Sequence, residues 1–142
     1  MPSVRSALQA ASAWHCWPSS RSATALRPSW AFSPALVAWF GKKDLESERL
    51  SVSYQRVAPN ETSPFSHRHK EQAEEIYVVV EGSGRVRLDG DAHDLEEWDA
   101  VRVAGPVVRS FEAGSDGLAI LAFGEISPAN DAELIGPNEE SS

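Results

Sequence analysis

A succession of short strand-like segments, each bounded by turn residues, constrains the fold of this 142-residue chain more than any other feature. The segments either alternate apolar and polar residues or form dense runs of β-branched and aromatic residues, as strands do. One connection, Asp89-Gly90-Asp91, is a strong hairpin signal. The segments cover residues 50–57, 75–80, 85–88, 99–103, 107–111 and 117–123. Because no helical segment of any length separates them, the sequence predicts an all-β sandwich or closed barrel rather than a parallel α/β sheet.

The two ends of the chain differ in composition from this β-rich region. Residues 1–33 are rich in Ser, Ala and Arg and contain prolines but no acidic residue, so we expect a disordered leader. An organellar transit peptide is the alternative, because such peptides are also rich in Arg and Ser and poor in acids. Residues 127–142 are acidic and contain Pro and Asn, which indicates a flexible tail. The barrel domain is expected at residues 48–126.

A short helix is predicted at residues 34–47, ahead of the barrel. Ser33 suits the N-cap position and Pro34 suits the first helical turn. The apolar residues between Leu36 and Phe40 then follow at helical spacing. We expect this helix to pack beside the barrel.

The charge distribution and the cysteine count exclude several classes of function. All 21 Asp and Glu residues lie at or after Asp44, whereas five of the 13 Lys and Arg residues precede it. An acidic body of this kind repels phosphate backbones, which argues against nucleic-acid binding. No apolar run reaches 18 residues, so the sequence predicts no membrane span. Cys16 is the only cysteine, which excludes an internal disulfide and a cysteine-rich zinc site.

Two histidines and a glutamate form the candidate site with most chemical content. His67 and His69 are two residues apart, so in an extended strand both side chains project to the same side. Glu75 begins the next strand and shares a face with Tyr77, where an unpaired buried carboxylate would be costly. Imidazole and carboxylate donors suit Fe, Mn or Zn, so we expect a three-ligand divalent metal site. Glu74, the neighbour of Glu75, remains the alternative carboxylate ligand.

The run His67-x-His69, five residues, Glu75, six residues, Gly82 resembles the first motif of the cupins. The resemblance is to the type-2 single-domain members of that family and covers residues 50–124. It implies a single jelly-roll barrel in which the two His and the Glu bind a divalent metal. The spacing to Gly82 favours Glu75 over Glu74 as the ligand.

The second cupin motif is altered. The family resemblance places a fourth ligand, a histidine, where this chain has Arg109. An arginine is always charged and does not bind metals. Three outcomes follow: Arg109 holds an anionic substrate at the barrel mouth beside a three-ligand metal, it pairs with Glu75 in place of a metal, or it turns outward. Contact with Glu75 would favour a metal-free module.

Three aromatic residues complete the candidate substrate-binding set with Arg109. Tyr77 shares the Glu75 face and could donate a hydrogen bond into the barrel. A packed aromatic ring is an equally good interpretation of Tyr77. Trp98 and Phe111 are residue types that more often pack in the core, although in a small barrel either could line the cavity.

These observations favour a small-molecule-binding cupin with a divalent metal at a site of two histidines and one glutamate. A metal-dependent enzyme of dioxygenase or isomerase type, acting on a small anionic substrate, is the first alternative. A metal-free binding or sensing module is the second, because the fold alone does not decide activity. Exposed β edges lead us to expect a homodimer. The expected compartment is the cytoplasm, or an organelle if the leader is a transit peptide.

Overall fold

The computed structural model describes residues 30–71, 73–126 and 131–136. These residues form nine β-strands and one short helix, in agreement with the all-β prediction. No helix in this part of the chain is long and apolar enough to cross a membrane. In chain order the elements are β1 Trp30–Phe32, β2 Leu36–Phe40, α1 Gly41–Asp44, β3 Leu50–Val57, β4 Ser66–His69, β5 Glu75–Leu88, β6 Asp91–Leu95, β7 Ala100–Val103, β8 Arg109–Glu125 and β9 Ala132–Ile135.

All strand pairs are antiparallel and belong to one curled sheet. Along the main path the order is β1-β2-β3-β8-β4-β9, and β5 pairs with β6, β7 and β8. The two long strands β5 and β8 run beside each other along most of their length, from the pair Glu75–Gly124 to the pair Leu88–Arg109. The predicted jelly-roll barrel is therefore confirmed.

The hydrophobic core lies inside the curled sheet, where alternate residues of β5 and β8 point. Tyr77 and Val79 of β5 are buried, as are Leu118 and Ile120 of β8, whereas the intervening Ile76 is exposed. This alternation follows from the two-residue period of a strand. Each buried side chain of this size contributes roughly 1.5–3 kcal/mol to stability.

The strands β5 and β8 are longer than the sequence predicts, because the glycines bend them instead of ending them. In β5 the pairing register shifts around Gly82, which has a φ of 79°. A Cβ at this position would collide with the carbonyl oxygen of Gly117, which also has a positive φ. Glycine is thus required at this close approach of the two backbones. The bends allow one pair of strands to wrap around the core.

The prediction of a helix at residues 34–47 is wrong for Leu36–Phe40, which form the strand β2. Leu36 and Ala38 are buried while Val37 and Trp39 are half-buried, which is a strand period, and β2 pairs with β3 over its whole length. A short segment with apolar residues on both sides fits helix and strand spacing equally well, and the pairing with β3 decides the outcome. Within the predicted segment 34–47, all of which the structure describes, only Gly41–Asp44 is helical.

The predicted ends of the barrel also need correction. Residues 30–32, expected in the leader, form β1 and pair with β2. Residues 132–135, expected in the flexible tail, form β9 and pair with β4, where Ile135 lies opposite Ser66. Ile135 is buried, which explains why this segment docks on the barrel. The rest of the predicted leader and tail, residues 1–29, 127–130 and 137–142, lies outside the described residues.

Candidate metal centre

The side chains of His67, His69 and Glu75 meet between β4 and the start of β5. Both histidines project from β4 to the same side, as their spacing predicts, and face Glu75 at the start of β5. The Nε2 atoms of His67 and His69 lie 3.4 and 3.3 Å from Oε2 of Glu75. All three side chains are largely buried. The structure thus brings together the three residues that the sequence singled out.

The arrangement of these donor atoms fits a metal ion. One donor atom from each residue lies within 4.8 Å of the other two. Two atoms that each lie about 2.1 Å from one ion are roughly 3.0–3.5 Å apart at ordinary coordination angles. In addition, Nε2 of His69 is buried and makes no hydrogen bond among the described residues. A buried nitrogen without a partner, aimed at a carboxylate, is the donor that a cation would satisfy.

Glu75 is held as an anion. Burial by itself raises the pKa of this carboxyl group. Hydrogen bonds from His67 and Tyr77 and the charges of the two histidines together outweigh burial and lower the pKa to about 2. The Tyr77 hydroxyl donates a hydrogen bond to Oε2 of Glu75. Burial and the Glu75 charge raise the pKa of Tyr77 well above its usual value, so the phenol keeps its proton.

Glu74 has a different position and partner. Its carboxylate accepts a hydrogen bond from Nε of Arg102, at 2.6 Å, and both side chains are exposed. Of the two adjacent glutamates, it is Glu75 that faces the histidines.

Arg109 lies inside the barrel and not at its mouth. The residue is fully buried, and its Cα pairs with that of His67 across β8 and β4. Its Nη1 donates hydrogen bonds to the carbonyl oxygens of Gly105, at 3.0 Å, and Val107, at 2.8 Å. Its Nη2 lies 3.6 Å from Oε2 of Glu75, which is an ion-pair contact longer than a hydrogen bond. Of the three outcomes considered for Arg109, the contact with Glu75 is the one found.

A cavity of about 460 Å³ opens beside the three candidate ligands. One part of its wall is apolar and includes Phe40, Phe65 and Leu134, whereas Ser53 and Gln55 supply polar atoms. Lys42, from the helix α1, also lines it. The remaining lining residues are Ser51, Val52, His67, His69, Glu75, Ala122 and Ala132.

The aromatic residues predicted to contact a substrate do not line this cavity. Tyr77 and Phe111 pack against each other in the core, with ring centroids 4.9 Å apart. Trp98 lies in the turn between β6 and β7 with 56% of its surface exposed and a φ of 76°. Its indole is therefore at the surface, away from the site, and Tyr77 reaches the site only through its hydroxyl group.

The sequence of residues 53–123 matches the cupin domain family, and this stretch is half of the chain. The match contains all three candidate ligands. The chain belongs to the cupin family.

Solved cupin structures share the fold. A cupin protein from Bacteroides fragilis is 23% identical, with a TM-score of 0.57 over 75% of this chain and 87% of its own. Oxalate decarboxylase from Bacillus subtilis is 19% identical, with a TM-score of 0.65 over 76% of this chain and 30% of its own. Salicylate 1,2-dioxygenase from Pseudaminobacter salicylatoxidans is 16% identical, with a TM-score of 0.62 over 76% of this chain and 32% of its own. This cupin thus spans about a third of the length of the two enzymes. No curated protein sequence matches it.

Two residues of this cupin site were missed by the sequence analysis. Asp131 immediately precedes β9 and hydrogen-bonds to His69, which is 62 residues away along the chain. Lys42 was assigned to a helix beside the barrel, without a role in the cavity. Neither residue belongs to a spacing motif, and only the pairing of the terminal strands with the barrel brings them to the site.

Proposed function

We propose that this cupin holds a divalent metal ion, Fe, Mn or Zn, on His67, His69 and Glu75 and takes a small molecule in the adjacent cavity. The observation that carries the proposal is the buried Nε2 of His69, which has no hydrogen-bond partner in the described chain and lies 3.3 Å from the Glu75 carboxylate. Two imidazoles and a carboxylate are donors that suit these metals. Such a metal supplies Lewis-acid polarisation of a ligand oxygen.

The lining of the cavity favours a small molecule that is anionic at one end and apolar at the other. Phe40, Phe65 and Leu134 offer an apolar surface, and Lys42 offers a positive charge. The buried charge of Arg109 adds to that of the metal, so an anionic group would be attracted to the loaded site. Because Arg109 is fully buried, we propose that it attracts the anion through this longer-range charge effect and not through the direct contact that the sequence suggested.

Metal titration into chelator-stripped protein tests the metal proposal, with Glu75→Gln and Glu74→Gln as a matched pair. We expect wild-type protein to bind one equivalent of Mn²⁺ or Zn²⁺ and Glu75→Gln to bind at least tenfold more weakly. Glu74→Gln should bind like wild type, because Glu74 pairs with Arg102 at the surface. Equal losses in both variants would contradict the proposed ligand set.

A metal-free binding module is the second candidate, and the contact of Arg109 with Glu75 favours it. In that case the guanidinium neutralises the carboxylate that would otherwise bind the metal. The titration separates the two candidates, since a metal-free module takes up no metal after stripping. An assay for oxygen consumption or isomerisation with small carboxylates, run on loaded and stripped protein, then tests whether the site is an enzyme.

We also propose that the protein forms a homodimer. Ile76 and Phe123 lie directly opposite each other on the outer face of β5 and β8, and both are more than 40% exposed. A second copy of this face would cover such an apolar pair. Light scattering coupled to size-exclusion chromatography should give twice the mass of one chain for wild type and a monomer for Phe123→Glu. A wild-type monomer would contradict the proposal.

A further inference from the structure

The buried aspartate behind His69 has two well-defined partners. Oδ2 of Asp131 lies 2.8 Å from Nδ1 of His69, and Oδ1 accepts a hydrogen bond of 2.8 Å from the backbone N–H of Glu71. Only 1% of the Asp131 side chain is exposed. A carboxylate buried to this extent must be compensated by strong donors, and both of its oxygens have one.

This contact fixes which nitrogen of His69 carries the proton. An ionised carboxylate only accepts hydrogen bonds, so neutral His69 must hold its hydrogen on Nδ1 to bond to Asp131. Its Nε2 then presents a lone pair on the opposite side of the ring, where Glu75 lies. A metal-bound histidine requires this tautomer when it coordinates through Nε2.

We infer that Asp131 is a positioning residue of the metal site, which acts through His69 by fixing its tautomer and its ring orientation. The effect on metal affinity rests on the proposed metal function, but the tautomer of His69 is a property of the metal-free protein. It also makes Asp131, the residue immediately before β9, part of the site. The strand β9, which follows Asp131 directly, pairs with β4 from Ser66 to His69 and so aligns the strand that carries the histidines.

Asp131→Asn gives a defined chemical conflict at this position. An asparagine side chain has one acceptor oxygen, whereas Asp131 accepts from two N–H groups. If the amide oxygen keeps the Glu71 N–H, the amide nitrogen faces Nδ1 of His69 and donates to it. His69 must then move its proton to Nε2, which removes the lone pair from the side of Glu75.

The first test is the ¹⁵N chemical shifts of His69 in chelator-stripped protein at about pH 8, above the usual pKa of histidine. We expect the Nδ1–H tautomer in wild type and a shift to Nε2–H in Asp131→Asn. Glu133→Gln is the matched control, because Glu133 lies on β9 and pairs with Arg68 at the surface. It should leave the His69 signals unchanged.

The second test is Zn²⁺ titration of the same three proteins. We expect Asp131→Asn to bind Zn²⁺ roughly 10–100-fold more weakly than wild type, while Glu133→Gln binds normally. An Nε2–H tautomer in wild-type protein would overturn the inference even if Asp131→Asn failed to fold. Unchanged tautomer and affinity in a folded Asp131→Asn would also overturn it. If wild type binds no Zn²⁺, the proposed function fails, whereas the tautomer measurement still decides the role of Asp131.

Discussion

Replacing Arg109 with leucine tests the interpretation that a buried cation stabilises the barrel beside the candidate metal centre. The guanidinium donates to the carbonyl oxygens of Gly105 and Val107 and contacts Glu75 while it is fully buried. Leucine fills part of the volume but supplies no donor in place of the guanidinium. The Val107 carbonyl loses its bond from Arg109 and Glu75 loses the nearby positive charge, whereas the Gly105 carbonyl still accepts from the N–H of His69. Removing one partner of a buried charged network costs about 3–5 kcal/mol. We therefore expect the free energy of unfolding of the metal-free protein to fall by about 3–5 kcal/mol.

The same substitution should act in the opposite direction on metal affinity. Arg109 places a positive charge 3.6 Å from the Glu75 carboxylate, so it opposes any cation bound there. Its removal should tighten Zn²⁺ binding by a factor of ten or more in any Arg109→Leu protein that remains folded.

Urea denaturation followed by circular dichroism measures the first effect, and Zn²⁺ titration measures the second. Arg102→Leu is the matched control, because its ion pair with Glu74 is exposed and should contribute less than about 1 kcal/mol. A loss of less than about 1 kcal/mol in Arg109→Leu would refute the stabilising role. Weaker Zn²⁺ binding in a folded Arg109→Leu protein would refute the electrostatic argument.

Three further substitutions test the roles of Tyr77, Gly82 and Trp98. Tyr77→Phe removes the hydroxyl donor to Glu75 but keeps the buried ring. We therefore expect metal binding to weaken by roughly tenfold in Zn²⁺ titration, while thermal unfolding shows that the variant is still folded. Gly82→Ala places a Cβ against the Gly117 carbonyl at a positive φ, and it should lower the free energy of unfolding by roughly 1–3 kcal/mol in urea titration, or more; a neutral effect would contradict the assigned close approach. Benzoate, which has an anionic and an apolar end, is a probe for the cavity of the metal-loaded protein. Trp98→Ala should leave its binding unchanged in calorimetry, since Trp98 is at the surface; a loss of binding would place Trp98 in the site after all.

The sequence predicts His67, His69 and Glu75 because their grouping depends mainly on local geometry. Two residues two apart on a strand must share a side, and a carboxylate at the start of a buried strand must meet a cation or donors. The surroundings of Arg109 depend instead on non-local structure. Its direction is set by the carbonyl oxygens of Gly105 and Val107, and their positions are fixed only once the barrel is closed.

The terminal segments were mispredicted for the same reason. Residues 36–40 match helix and strand spacing alike, and their partner strand β3 selects the strand. Residues 132–135 lie within an acidic, polar tail, and one buried side chain, Ile135, marks their docking on β4. Asp131 therefore reaches His69 through a pairing that no local pattern in the sequence indicates.

Whether His67, His69 and Glu75 hold a metal ion is measured by the metal content of protein purified without chelator or nickel affinity, using elemental mass spectrometry. The comparison is with His67→Ala/His69→Ala and with His93→Ala, a control in which the exposed histidine of β6 is removed. We expect close to one equivalent of Fe, Mn or Zn in wild type and in His93→Ala, and none in the double variant. No metal in wild-type protein, even after stripping and reloading, would contradict the claim and leave the contact between Arg109 and Glu75 as the organising feature of the site.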